Sequence, residues 1–244
     1  MNIIFFAPPF LYIIGAFYRP LIYAGFLLQA GYLFARGVDL GRIPLVGLHD
    51  TLVFFSSSVV AFSIPFYKGA KEKKDFFYML GFMAAVLSSA ALFSKPHGAP
   101  LPPVLKTYWF ELHVILSFFS YALFAIAAIL GAVYLIRLIK PDEEDSRRLL
   151  SLQYKGVLMG YSLFSLSMIF GGIWAFYAWG SYWLWTPKEL WTTILWIFYS
   201  IYLHARLLKW RSGKIVSVLA IAGFLIVLFT YLGVGLLMKS SHSF

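Results

Sequence analysis

The sequence predicts an all-α fold: a polytopic integral membrane protein with about eight transmembrane helices and both termini outside. Three observations predict it. Only 12% of the 244 residues are charged while 61% are hydrophobic, whereas a soluble domain carries roughly a quarter charged residues. Most of the surface therefore faces lipid. Charge-poor runs near the length that crosses a hydrocarbon core, about 20 residues and no fewer than about 17, recur eight times. The cations collect in alternate connections between those runs, as the positive-inside rule expects.

The expected helices fall at roughly 2–18, 20–36, 50–67, 76–94, 110–138, 155–178, 189–209 and 215–238. The first two are separated only by Tyr18-Arg19-Pro20, and Pro20 suits the first position of a helix, where a missing N–H costs nothing. No internal repeat is visible, and no stretch reads as a soluble domain. The whole chain, 1–244, reads as one membrane domain, with a four-span part over 1–100 and a second part over 109–244. The first run follows no cationic region, since Arg19 is the first charge, so it reads as a mature span rather than a cleaved leader.

Fourteen Lys and Arg residues lie in one set of connections: Arg19, the group Lys68 to Lys74, the group Arg137 to Lys155, and the group Arg206 to Lys214. The other set holds six: Arg36, Arg42, Lys95, Lys106, Lys188 and Lys239. The richer set is assigned to the cytoplasm, which leaves the connections near 37–49, 95–109 and 179–188 outside. The net charge of +10 is thus a topology signal and not a nucleic-acid footprint. The run Lys140 to Arg148 is expected to be a solvated cytoplasmic turn. The chain has no cysteine, which excludes disulfides, thiolate metal sites and a cysteine nucleophile.

Seven of the eight tryptophans lie between 174 and 210, most densely in Trp179-Gly-Ser-Tyr-Trp-Leu-Trp-Thr-Pro-Lys-Glu-Leu-Trp191. Gly180 and Pro187 keep this stretch from continuing either neighbouring helix. Two readings stand on composition. One is an aromatic belt at the membrane interface. The other is a binding surface: Trp179, Tyr182, Trp183 and Trp185 fall within seven residues and would form a continuous aromatic face for a large flat ligand, with Ser181 and Lys188 meeting its polar edge.

The stretch from Trp179 to Glu189 resembles the WWD signature of the haem-handling proteins of cytochrome c biogenesis. Trp-Gly-Ser-Tyr-Trp-x-Trp and Pro-Lys-Glu, with Tyr202-Leu-His204-x-Arg206 beyond, are most similar to the CcsA/ResC branch (System II), and the CcmC and CcmF proteins are looser matches. The resemblance runs from about Trp109 to the C-terminus. In the first hundred residues it rests on hydropathy and the Gly41-Arg-Ile-Pro44 stretch. One position departs from the pattern: the family's Asp after the third Trp is Thr186 here, which keeps an oxygen and loses the charge, and the role of the Asp is weakened or passes to Glu189.

Five histidines complete the candidates. His113 opens the fifth span and His242 follows the eighth, so hydropathy and charge put both on the side of the tryptophan segment. Neutral imidazole is the usual axial ligand of haem iron. A lone histidine at a helix end is ordinarily solvated or capping, but the resemblance implies that His113 and His242 are iron ligands flanking the WWD loop. His204 lies about 15 residues past Glu189, roughly 22 Å along a helix, near the cytoplasmic end of its span. The resemblance implies that it belongs to an inner haem site, with any second ligand supplied by another chain. His49, beside Asp50 at a helix start, is expected to cap and line the interface. His97, in Lys95-Pro-His-Gly98, is expected to be exposed.

The resemblance therefore implies haem b as a transiently bound substrate, held by His113, His242 and His204 and by Trp179, Tyr182, Trp183, Trp185 and Lys188. It implies delivery to the outer or periplasmic face of a bacterial cytoplasmic membrane, in company with a CcsB/ResB-type subunit. An apocytochrome c would supply Cys-x-x-Cys-His thiols for thioether formation, making this chain a subunit of a holocytochrome c synthetase. Two other readings stay open: a haem carrier or exporter without attachment chemistry, and a cytochrome b-like electron-transfer subunit, which requires paired histidines at matched depths. No catalytic residue is assigned.

Overall fold

The computed structural model describes residues 2–67, 74–139, 142–207 and 212–234, with side chains from Ala7 onward. His242 and Lys239 lie outside the described residues. Among the described residues all regular structure is helical: α1 Asn2–Phe17, α2 Pro20–Leu40, α3 Leu48–Tyr67, α4 Lys74–Leu92, a 3₁₀ turn Pro103–Leu105, α5 Tyr108–Arg137, α6 Glu143–Trp179, α7 Pro187–Leu207 and α8 Gly213–Leu228, which runs into a π turn at Phe229–Gly233. Eight helices thus occupy the eight expected positions. Six of them, α2 to α6 and the α8 segment, are long and apolar enough to cross a membrane. The described apolar part of α1, Ala7–Phe17, is short, and α7 dilutes its apolar residues with Lys188, Glu189, His204 and Arg206.

The chain divides into two compact units, 1–100 and 101–244. In the first, α1 packs on α2 and α4, and α3 packs on α2 and α4. Gln29, buried to 2% exposure, joins all four helices. Its Oε1 accepts from Tyr12 OH at 2.6 Å and Ser57 Oγ at 3.2 Å, and its Nε2 donates to Ser88 Oγ at 2.7 Å. Side-chain hydrogen bonds of this kind associate helices that lipid does not drive together, each by about 0.6 kcal/mol on average.

In the second unit α5 is the central helix, packed on α6 and α8 and apolar on every face, as a fully surrounded helix must be. The Phe124 and Tyr199 rings stack at 3.7 Å and 7°, tying α5 to α7. α6 has 37 residues, about 55 Å of helix against a hydrocarbon core of about 30 Å. The excess lies at its N-terminal end and corrects the expectation of a merely solvated turn over 140–148. Asp142 caps α6 by accepting from Glu144 N and Asp145 N. Glu143, Glu144 and Asp145 fill its first turn, where negative charge meets the positive end of the helix dipole. Asp145 is buried and ion-paired with Arg137 at the end of α5, so the run holds two long helices together at their turn.

Candidate functional site

The site in the second unit begins with a close approach of α5 to α6. His113 and Ser117 are one turn apart on α5, and Ser167, Gly171 and Trp174 share one face of α6. A Cβ on Gly171 would stand 2.6 Å from His113 Nδ1, so the ring occupies the space that any side chain there would fill. Nδ1 lies 2.9 Å from Ser167 O. A carbonyl only accepts, so Nδ1 carries the proton and Nε2 carries the lone pair. Ser117 Oγ and Ser167 Oγ lie 2.6 Å apart, and both donate to His113 O. Nε2 makes no hydrogen bond to a described residue, and the histidine is partly exposed.

Aromatic rings surround this imidazole. Trp174 is buried, its ring nearly parallel to His113 at 6.5 Å and 13°, and its Nε1 donates to Val104 O at 2.8 Å. Phe110 and Trp179 pack against Trp174 at 5.2 and 4.8 Å. Lys188, in the first turn of α7, makes no ion pair with a described residue.

The connection from α6 to α7 is an ordered loop with identifiable causes. Gly180, at φ +74°, ends α6 in the left-handed region that glycine enters without cost, and its N–H bonds Phe176 O at 2.8 Å. Trp185 is also left-handed, at φ +54°, and is the one non-glycine residue of positive φ among the described residues; a bulky side chain there is strained. The amides on either side of it, Leu184 N at 3.0 Å and Thr186 N at 2.8 Å, both donate to one oxygen of Glu189. Glu189 N in turn approaches Thr186 Oγ1 at 3.4 Å. Thr186-Pro-Lys-Glu189 is therefore a capping box: Thr186 at the N-cap, Pro187 at the first helical position and Glu189 reaching back.

The expected single aromatic face is instead partitioned. Trp179 turns inward onto Trp174. Tyr182 stacks on Phe176 at 4.6 Å and 15°, and Trp183 meets Trp185 edge to face at 6.4 Å. Tyr182 and Trp185 are 60% and 66% exposed. The structure brings His113 and Trp179 onto the same ring, Trp174, with Tyr182, Trp183 and Trp185 on the adjoining loop and Lys188 at the start of α7. It does not bring His204 to them. That residue is exposed at the far end of α7, with Nδ1 bonded to Ser200 O at 2.8 Å in its own helix. Ser167, Gly171 and Trp174 escaped the sequence reading, although the Gly171-Gly172 pair inside a long helix signals a close approach. The Thr-x-x-Glu spacing likewise signals the capping box.

In the first unit His49 is buried and does not cap. Its Nδ1 donates to Ala91 O and Ser94 O at 3.0 and 3.1 Å, and its Nε2 accepts from Tyr32 OH at 2.8 Å. His97 is partly buried, and its carbonyl accepts from Arg36. Among the described residues no group of three or more His, Asp or Glu side chains is placed to hold a bare metal ion.

The family model described as cytochrome C assembly protein matches residues 45–242. The cytochrome c biogenesis protein CcsA of Chlamydomonas reinhardtii is 33% identical over 236 residues, covering 89% of this chain and 65% of that protein. The proteins of the same name from Guillardia theta and Mesostigma viride are each 30% identical, over 86% and 92% of this chain and 79% and 84% of theirs. The chain thus spans just under two thirds of the length of the Chlamydomonas relative.

Proposed function

This chain belongs to the cytochrome c assembly protein family, and from that premise we propose that it acts in cytochrome c biogenesis as a CcsA-type haem-handling membrane protein. The observation that carries the reading is the state of His113. Its Nδ1–H is committed to Ser167 O, which leaves Nε2 as a fixed, unprotonated donor beside an aromatic loop. Second-shell bonds of this kind set the tautomer and orientation of metal-ligating imidazoles. The residues present fit haem: exposed aromatic rings at Tyr182 and Trp185, an imidazole Nε2 that no described residue hydrogen-bonds, and the Lys188 ammonium for a carboxylate.

In this reading His113 and His242 hold the iron of haem b on the outer side of the membrane, Trp179, Tyr182, Trp183 and Trp185 cradle the ring, and His204 serves an inner station on the cytoplasmic side. The bound haem supplies vinyl groups, and an apocytochrome c supplies the Cys-x-x-Cys-His thiols that this cysteine-free chain lacks. The protein's own contribution is to hold, orient and shield the haem. A CcsB/ResB-type subunit completes the synthetase, and the membrane is the bacterial cytoplasmic membrane.

The test is the absorption spectrum of the purified protein. Wild type is expected to show haem with axial imidazole ligation, altered in both His113→Ala and His242→Ala. Unchanged ligation in both variants would defeat the assignment. Maturation of a reporter cytochrome c by this chain with its partner, in a host lacking its own system, separates attachment from carriage alone.

A further inference from the structure

The connection between α2 and α3 contains a charge for which no described residue supplies an acceptor. α2 ends with Gly41 N donating to Val38 O and Arg42 N donating to Gly37 O, which turns Arg42 back against its own unit. Both terminal nitrogens of its guanidinium are excluded from solvent and have no hydrogen-bond partner among the described residues. The neighbouring carboxylate is taken. Asp50, fully buried, accepts from Arg36 Nε at 2.6 Å and Arg36 Nη2 at 3.0 Å, and the same Nη2 donates to His97 O. His49, beside Asp50, spends both ring nitrogens on Tyr32 OH and on carbonyls. Burial holds the Arg42 pKa below the ordinary arginine value, with Asp50 opposing that shift. Two guanidiniums thus share one buried carboxylate, and the carboxylate faces only one of them.

Arg42 is half-buried as a residue, but donors shut off from solvent without a partner are costly for a fold to keep. A guanidinium is also the side chain whose planar fork matches an oxyanion. We propose that Arg42 is an anion-binding residue whose guanidinium receives a phosphate group that no described residue supplies. The connection it stands in joins two helices that are each long and apolar enough to cross a membrane, so Arg42 lies at a membrane surface, and the phosphate is that of an anionic lipid.

The experiment compares the melting of purified, haem-free wild type, Arg42→Met and Arg42→Lys in nanodiscs of phosphatidylglycerol and of phosphatidylcholine. Phosphatidylglycerol is expected to raise the melting temperature of wild type, that of Arg42→Lys by less, and that of Arg42→Met not at all. In phosphatidylcholine, Arg42→Met is expected to melt no lower than wild type, because it removes an orphan. The proposal is overturned if that variant melts several degrees lower, which makes Arg42 a packing residue, or if phosphatidylglycerol raises all three proteins equally. Should Arg42→Met not survive purification, Arg42→Lys decides: its gain from phosphatidylglycerol must be smaller than that of wild type.

Discussion

The replacement of the family's Asp by Thr186 is small once its place is known. Thr186 is the N-cap of α7, and Asp and Thr are both strong N-cap residues. The negative charge near the loop is kept by Glu189, whose carboxylate holds the two amides flanking the left-handed Trp185. Thr186→Asp is therefore expected to change stability by no more than a few tenths of a kcal/mol, and Thr186→Ala to cost about 1 kcal/mol, read as melting temperature in detergent. Glu189→Ala removes both amide acceptors and is expected to loosen Trp185, whereas Glu189→Gln keeps an acceptor oxygen and acts mildly. The absence of native cysteine makes a nitroxide at Leu184→Cys a clean reporter: its mobility should rise in the Ala variant and stay near wild type in the Gln variant. Equal mobility in both would remove Glu189 from its role. Gly171→Ala tests the other half of the site. Its Cβ would lie 2.6 Å from His113 Nδ1, so the ring must leave Ser167 O. Alanine is intrinsically better than glycine in a helix by about 1 kcal/mol, so a change in the haem absorption bands with the helix content kept is the expected signature. Bands identical to wild type would mean that the ring's seat against α6 does not set its ligation.

At the level of elements, the start of α6 shows what charge patterning alone misses. The alternation of acids and bases over 140–148 has the look of a solvated turn, because sequence gives no sign of which acid is buried. The structure buries Asp145 against Arg137 and leaves Glu143 and Glu144 exposed on the same first turn. Removing one member of a buried pair leaves the other charge uncompensated, at about 3–5 kcal/mol. Asp145→Asn is therefore expected to lower the melting temperature distinctly, and Glu143→Gln to leave it within a degree or two of wild type. Equal effects from the two would show that the pair is solvated after all. α7 gives the complementary case. Its expected position, 189–209, is close to the observed Pro187–Leu207, because Pro187 and the Thr-x-x-Glu spacing fix its start in the sequence itself. The partition of the aromatic loop into ring pairs was not legible. Composition counts rings but does not say which turn inward, and Trp179 does so only because Trp174, a turn and a half earlier on α6, offers it a partner.

For the molecule as a whole, hydropathy located all eight helices, since a run of apolar residues long enough to span leaves the chain few alternatives. Contacts between helices were not legible, because lipid-facing and protein-facing positions are equally apolar and period alone does not separate them. Gln29 and Gly171 carry that information, and each is a single residue in a uniform background. Orientation is the global property that rests on one physical argument, the excess of cations in one set of connections. It makes a prediction that the absence of cysteine renders simple to test. Ser181→Cys stands in the aromatic loop, and Ser146→Cys stands in the first turns of α6. If the cation-rich set is cytoplasmic, a membrane-impermeant maleimide added to intact cells labels Ser181→Cys and labels Ser146→Cys only after the membrane is opened. The reverse pattern would put the His113 face in the cytoplasm. Haem made inside the cell would then meet that site before any crossing, and delivery to an outer acceptor would have to run through His204 as the exit rather than the entry.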